Sequence, residues 1–296
     1  MSQSNNQVWY VTGVSAGIGL NLVIVLLQKG YKVVGTTRSV EKTVARVNEV
    51  VDKSITEKNL LVLQVDLVNE ESIENSLKKA VEKFGKIDVV VNNAGFGLVG
   101  AIEEVSDKEA REQFDVNFFG LLNVCRKSLP LLRESAKSKP EGSGSRIYNI
   151  SSVAGIIPFG AFGIYCASKF AVEGLSGSLA NEAKAFNVQV TAVNLGYFRT
   201  EFLHSTSYVQ AKEKNPLYAQ VHKTIEVHAE AINNNQPGSP IKAAEVLIKL
   251  ANESNPPVNL ALGTDSYQYI EKHQNTVKAE FEKYREIGQS TDYDKK

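Results

Sequence analysis

Net charge, paired cysteines, histidine clusters and long apolar runs are all missing from this chain of 296 residues, and each absence removes a class of function. Lysine plus arginine balance aspartate plus glutamate at 33 each, so no overall field favours nucleic acid or an anionic membrane surface. Ligand recognition has to be local. The two cysteines, Cys125 and Cys166, lack CxxC spacing and fall in stretches that read as helical, which argues against a structural disulfide and for a reducing compartment. The four histidines, His204, His222, His228 and His273, form no HExxH or similar ligand pattern, so no bound metal is expected. Residues 1–7 are polar, and the first apolar run, Val8-Trp9-Tyr10-Val11, is too short for a signal peptide or a spanning helix. These features predict a soluble, cytoplasmic protein with no membrane span and no nucleic-acid partner.

What the chain does contain is a regular alternation. Val8–Val11, Lys32–Thr37, Leu60–Val65, Ile87–Asn92, Arg146–Ile150, Val188–Asn194 and Val258–Leu262 read as seven β-rich runs. Between them apolar residues recur at helical spacing, as in Ile73, Leu77, Ala80, Val81 and Phe84. Such alternation predicts an α/β, doubly wound Rossmann-type fold, with a seven-stranded, mainly parallel sheet and helices on both faces. No repeat or low-complexity linker divides the chain, so residues 1–296 are read as a single dinucleotide-binding and catalytic domain. Residues 201–240 separate the sixth run from the next helix by far more than the ~2–6 residues of an ordinary βα loop. They are expected to fold into helices of their own and cover the substrate. Residues 265–296 read as a C-terminal helix followed by a frayed tail.

Two motifs carry chemistry. The first strand runs into Thr12-Gly13-Val14-Ser15-Ala16-Gly17-Ile18-Gly19, where missing side chains let backbone N–H groups approach a pyrophosphate at the positive end of a helix. The second is Tyr165 followed four residues later by Lys169, with Ser152 thirteen residues upstream. Positions i and i+4 share a helix face, so the ammonium can lie beside the phenol. A nearby cation favours phenolate and lowers a value that is ordinarily near ~10, making the tyrosine able to exchange a proton near neutral pH.

With these motifs, the Asn93-Ala94-Gly95 strand end and Asn117, the chain resembles the short-chain dehydrogenase/reductase family in its compact, single-domain branch. The wording around Asn93–Gly97, Asp115–Asn117 and Leu262–Asp265 is most similar to 17β-hydroxysteroid dehydrogenase-like oxidoreductases. The resemblance implies four catalytic residues. Tyr165 gives or takes the proton, Lys169 lowers its pKa and holds the nicotinamide ribose, Ser152 orients the substrate oxygen, and Asn117 bends its helix and holds a water that relays protons toward the lysine. Ser152 is preferred over Ser151 for its spacing from Tyr165 and because neighbours on a strand face opposite ways.

The resemblance also implies the cofactor contacts. Gly13, Ser15, Gly17, Ile18 and Gly19 form the turn, Asp66 and Leu67 meet the adenine, and Asn93, Ala94, Gly95 and Val116 pack along the adenosine half. Gly196 and Thr200 fit the family's turn after the sixth strand. Leu195 stands where a proline is usual, and Phe198 where backbone meets the carboxamide. The second strand ends in Thr37-Arg38 with no carboxylate before Glu41, and a guanidinium fork there suits a 2′-phosphate, so the cofactor is expected to be NADP(H).

The loops at the strands' carboxyl ends carry Phe96, Leu98, Val99, Ile156, Ile157, Phe159, Phe162, Phe198 and Phe202. Walls of this kind fit a lipophilic small-molecule ketone, aldehyde or alcohol. The leading expectation is an NADPH-dependent carbonyl reductase or alcohol dehydrogenase. A redox-sensing module without turnover and a sugar-nucleotide epimerase or dehydratase are the alternatives, the latter disfavoured by the glycine spacing and the basic end of the second strand. Small residues on the Tyr165 helix, among them Ala167, Ala171 and Gly174, let another helix approach closely, and the family resemblance implies that this face, with the Asn117 helix, builds a homodimer or homotetramer.

Overall fold

The computed structural model describes residues 6–203 and 207–293. His204 lies outside the described residues. The strands are β1 (Val8–Thr12), β2 (Lys32–Thr37), β3 (Leu60–Gln64), β4 (Val89–Asn92), β5 (Gly97–Val99), β6 (Ser145–Ile150), β7 (Val188–Leu195), β8 (Tyr208–Gln210) and β9 (Asn259–Leu262). Seven of them form one parallel sheet in the order β3-β2-β1-β4-β6-β7-β9, which is the α/β Rossmann-type architecture expected from the alternation.

Side-chain alternation explains why these strands sit in the middle of the molecule. Trp9 and Val11 point to one face of the sheet and Tyr10 to the other, and Val89 and Val91 oppose Val90 in the same way. Both faces are apolar, so each strand has to be covered twice. On one face lie α1 (Gly17–Gln28), α2 (Val40–Asn48), α3 (Lys53–Asn59) and, from late in the chain, a helix over Pro240–Ala251. The other face takes α4 (Glu70–Phe84), α5 (Asp107–Phe114), α6 (Leu121–Ala136) and α7 (Gly163–Ala183). The helix over Pro240–Ala251 is α9, and the remaining helices are α8 (Ala219–Val227), α10 (Thr264–Lys283) and α11 (Arg285–Gln289). None of the described helices is long and apolar enough to cross a membrane.

The strand order reverses between β1 and β4, which splits the connecting chains to opposite faces and opens a crevice at the strands' carboxyl ends. The long segment after β7 differs from its sequence reading. It holds short helical turns and α8, but Tyr208–Gln210 is extended and pairs in parallel with Gly97–Val99 as a separate two-stranded sheet. This pairing clips the segment onto the loop after β4. A further tie is Glu104, whose buried carboxylate accepts from the Asn215 N–H at 2.7 Å and meets His222 Nε2 at 2.6 Å. Beneath the segment Phe162, Tyr165, Leu203, Tyr208 and Ile225 form a third apolar cluster.

Candidate active site

At the reversal of strand order lies a cleft of about 670 Å³. Its first wall is the glycine turn. Gly13 and Gly17 have φ of 69° and 58°, a region side chains rarely adopt, and a Cβ on Gly13 would lie 2.7 Å from Ala94 Cα. The N–H groups of Gly13 and Val14 both donate to Thr36 O at 3.0 Å, which folds the turn back on β2. Gly19 does not reach the cleft. It lets α1 press on the turn, since a Cβ there would collide with Gly13 O and the Asn93 amide. Ser15 is exposed and off the cleft wall, and its carbonyl accepts from Arg46 Nη1 at 2.9 Å. Gly17 and Ile18 line the cleft.

Arg38, Asp66, Leu67, Asn93, Ala94, Gly95 and Val116 all line the same cleft. Asn93 is also a stitch: its amide donates to Thr12 O and Gly13 O at 3.0 and 2.8 Å, while Thr12 Oγ1 accepts from the N–H groups of Asn93 and Ala94 at 3.0 Å each. Thr12 thus holds the ends of β1 and β4 together, a role its place in the glycine motif did not reveal. Thr200 closes the opposite side, its Cβ 3.4 Å from where a Gly17 Cβ would stand. The cradle fits a dinucleotide, because bare backbone and missing Cβ atoms line the place where a pyrophosphate would lie.

The turn after β7 is held without a proline. Asp265, in the first turn of α10, accepts from the Tyr197 N–H at 2.6 Å, and Gly196 N donates to Leu262 O at 2.9 Å. Any side chain on Gly196 would run into that carboxylate. Leu195, Gly196 and Phe198 line the cleft. Asp265 therefore does by hydrogen bonding what a ring would do by covalent restraint, a signal not readable from local sequence.

Ser152 sits close enough to the Tyr165 hydroxyl to lower its pKa, and Lys169 Nζ lies 5.8 Å from the Tyr165 ring centroid while donating to Ile150 O at 2.8 Å. Ser151 turns the other way, its Oγ 2.6 Å from where a Cβ on Gly155 would be. One expectation needs correction. Burial pushes the Tyr165 phenol up to about 12, with Ser152 opposing it, and the same burial pulls the Lys169 ammonium down to about 8 against the attraction of Glu173 one turn further on. Desolvation is the largest influence on both groups, and it acts in opposite directions on a phenol and an ammonium.

Asn117 sits in a π-helical turn, Asp115–Gly120, between α5 and α6. Its amide is spent on structure: Oδ1 accepts from Phe96 N at 3.1 Å, and Nδ2 donates to Phe96 O at 2.9 Å and to Ser168 Oγ at 3.3 Å. The side chain is buried and is not part of the cleft wall.

Of the apolar residues expected at the cleft, Phe96, Phe159, Phe162, Phe198 and Phe202 reach it. Leu98 and Val99 are buried in β5, and Ile156 and Ile157 do not contribute to the wall. Sequence reasoning missed Tyr197, in the turn after β7, and Glu201, His228 and Gln236, in the segment 201–240 whose folding has no local signature; all four line the cleft.

The chain matches the family described as short chain dehydrogenase over residues 7–210. It is 36% identical over 273 residues to an uncharacterized oxidoreductase of Schizosaccharomyces pombe, covering 92% of this chain and 87% of that one. A 3-ketodihydrosphingosine reductase of Bacteroides thetaiotaomicron is 31% identical over 258 residues, 87% of this chain and 88% of the relative. Among solved structures, a short-chain dehydrogenase from Streptomyces avermitilis superposes with a TM-score of 0.84 at 31% identity, covering 97% of this chain and 100% of the other. The chain belongs to the short-chain dehydrogenase/reductase family and is an oxidoreductase of that family.

Proposed function

We propose that the cleft is the active centre of an NADPH-dependent oxidoreductase that interconverts a lipophilic ketone or aldehyde and its alcohol. The observation that carries this reading is the meeting of Ser152 with the buried Tyr165 and Lys169 on the cleft wall beside the glycine cradle. NADP(H), when bound, supplies or accepts the hydride. The phenol of Tyr165, held protonated well above neutral pH by burial, is in the form that donates to a substrate oxygen gaining negative charge. Ser152 donates or accepts at the same oxygen and aligns it with the phenol. Lys169, mostly charged at pH 7 with a value of about 8, stabilises the phenolate left after transfer.

Arg38 supports the choice of NADP(H), since it is exposed at the cleft where β2 ends and presents a planar fork for a phosphate. The five phenylalanines of the wall support an apolar substrate, and so does the relative named for reducing 3-ketodihydrosphingosine. We read residues 1–296 as one catalytic unit acting in the cytoplasm. Phe119 and Phe170 stand exposed on the α6–α7 side, and a Cβ on Gly174 or Gly177 of α7 would meet nothing within 4 Å, so this face supports pairing of two copies.

The test is consumption of NADPH, and of NADH in parallel, with a panel of apolar ketones for wild type and Tyr165→Phe. Loss of roughly a hundredfold or more in kcat on removing the hydroxyl is expected. Equal rates in the two proteins, or none in either, would refute the assignment.

A further inference from the structure

The far side of the cleft carries polar groups that proton and hydride transfer do not use. Gln236 lines the cleft, is 2% exposed, and its Oε1 is fully buried with no hydrogen-bond partner among the described residues. Its main chain is well tied: Gln236 O accepts from Arg199 Nε at 3.2 Å, and the neighbouring Gly238 bridges to Phe198. The side chain is thus held in place yet unsatisfied, an arrangement that costs about 1–3 kcal/mol unless a ligand completes it.

Two further groups share that wall. Tyr197 Oη and His228 Nε2 are 2.9 Å apart, and both residues line the cleft. His228 Nδ1 lies 2.8 Å from Thr224 O, a carbonyl that can only accept, so Nδ1 carries a proton, and in the neutral ring Nε2 then accepts from the Tyr197 hydroxyl. The phenol oxygen keeps its lone pairs free for a donor. Phe162 stacks edge-on to both His228 and Tyr165, with ring centroids 4.9 and 6.4 Å away, and so stands between this pair and the reacting group.

The chemistry of the wall selects its ligand. The amide offers one donor face and one acceptor, and the phenol oxygen offers an acceptor. Among the described lining residues, the lysine and arginine side chains are Lys169, beside Tyr165, and Arg38, at the end of β2, while Arg199, which bonds the Gln236 carbonyl, is exposed and does not line the cleft, so the lining of this wall offers a carboxylate or phosphate no permanent cation. A hydroxyl both donates and accepts, and it is neutral.

We propose that Gln236, with the Tyr197–His228 pair, is a second substrate anchor that holds a hydroxyl remote from the reacting carbonyl, so that the enzyme selects hydroxylated lipophilic ketones over unsubstituted ones. This rests on the reading of the cleft as a carbonyl-reducing centre. Gln236 and Tyr197 are specificity residues in this scheme and take no part in proton transfer.

The experiment pairs straight-chain methyl ketones of graded length with the same ketones bearing a terminal hydroxyl, assayed with NADPH on wild type, Gln236→Leu and Tyr197→Phe. At the best-fitting length wild type is expected to favour the hydroxyketone by roughly tenfold in kcat/KM, chiefly through KM. Gln236→Leu should bring that ratio close to one, and Tyr197→Phe should lower it. Equal use of the two series by wild type overturns the anchor and leaves the reductase reading standing, whereas turnover of neither series overturns both. An unchanged ratio in the variants, or weaker NADPH binding by nicotinamide fluorescence with the ratio intact, assigns the amide elsewhere and also overturns it.

Discussion

Arg46 grips Glu201 with both nitrogens of its guanidinium fork, at 2.7 and 3.2 Å, and Nη1 also donates to the Ser15 carbonyl at 2.9 Å. One side chain of α2 therefore joins the glycine turn to the start of the segment that covers the cleft. The bidentate geometry matters more than the energy, because both partners are well exposed and such a pair contributes only ~0–1 kcal/mol. Arg46→Gln is expected to leave the thermal midpoint almost unchanged while raising the NADPH dissociation constant several-fold. Titration calorimetry beside a melting curve checks this, and a large fall in melting temperature with normal cofactor affinity would contradict it.

The burial of Lys169 has a pH signature. Its folded value, about 8, is depressed from 10.5, so between those values the unfolded chain binds the proton that the folded chain has lost. Stability from this group therefore rises with pH across the interval. Tyr165 acts oppositely, since its value is raised from 10.0 to about 12 and its contribution is lost above about pH 10. In cofactor-free protein, the stability of wild type relative to Lys169→Met should increase from pH 8 toward pH 10, as followed by urea denaturation. Ketone reduction should decline as pH climbs through about 8, where the ammonium discharges; a reductive rate flat from pH 7 to 10 would exclude that role for Lys169.

Arg38→Asp should weaken NADPH by roughly ten- to hundredfold, the range of a lost charge-assisted phosphate contact, and change NADH far less. Paired kcat/KM values for the two cofactors measure the shift. An unaltered ratio would remove the phosphate assignment.

Asp265→Ala leaves the Tyr197 N–H without its acceptor, at a cost of about 1–3 kcal/mol. Because that bond substitutes for the usual proline at Leu195, the loss should appear both as a lower melting temperature and as a higher ketone KM. Asp265→Asn, which keeps an acceptor oxygen, should recover part of each. Equal behaviour of the two variants would count against the hydrogen bond as the cause.

The seven strands of the main sheet were legible because each is a short β-rich run, the central ones apolar on both faces, and that pattern depends on neighbours in sequence. Tyr165 and Lys169 were legible for the same reason, since one helical turn relates them. The small sheet was not: Gly97–Val99 and Tyr208–Gln210 are three residues each and far apart along the chain, and neither has a period to read. That Asn117 falls in a π turn and not an α turn was not legible either, because the two differ by one hydrogen-bond step and leave no composition signal.

Local chemistry in the chain was enough to specify a parallel α/β sheet, a glycine cradle and a tyrosine–lysine pair, because dihedral preference and side-chain period act over a few residues. Folding in three dimensions set what those groups became. It buried Tyr165 and Lys169 until desolvation moved both pKa values, turned the Asn117 amide onto Phe96, placed Asp265 under Tyr197, and drew Gln236 to the wall of the cleft. Burial and long-range hydrogen bonds depend on which distant segments meet, and the order of residues along a strand or helix carries no direct record of that.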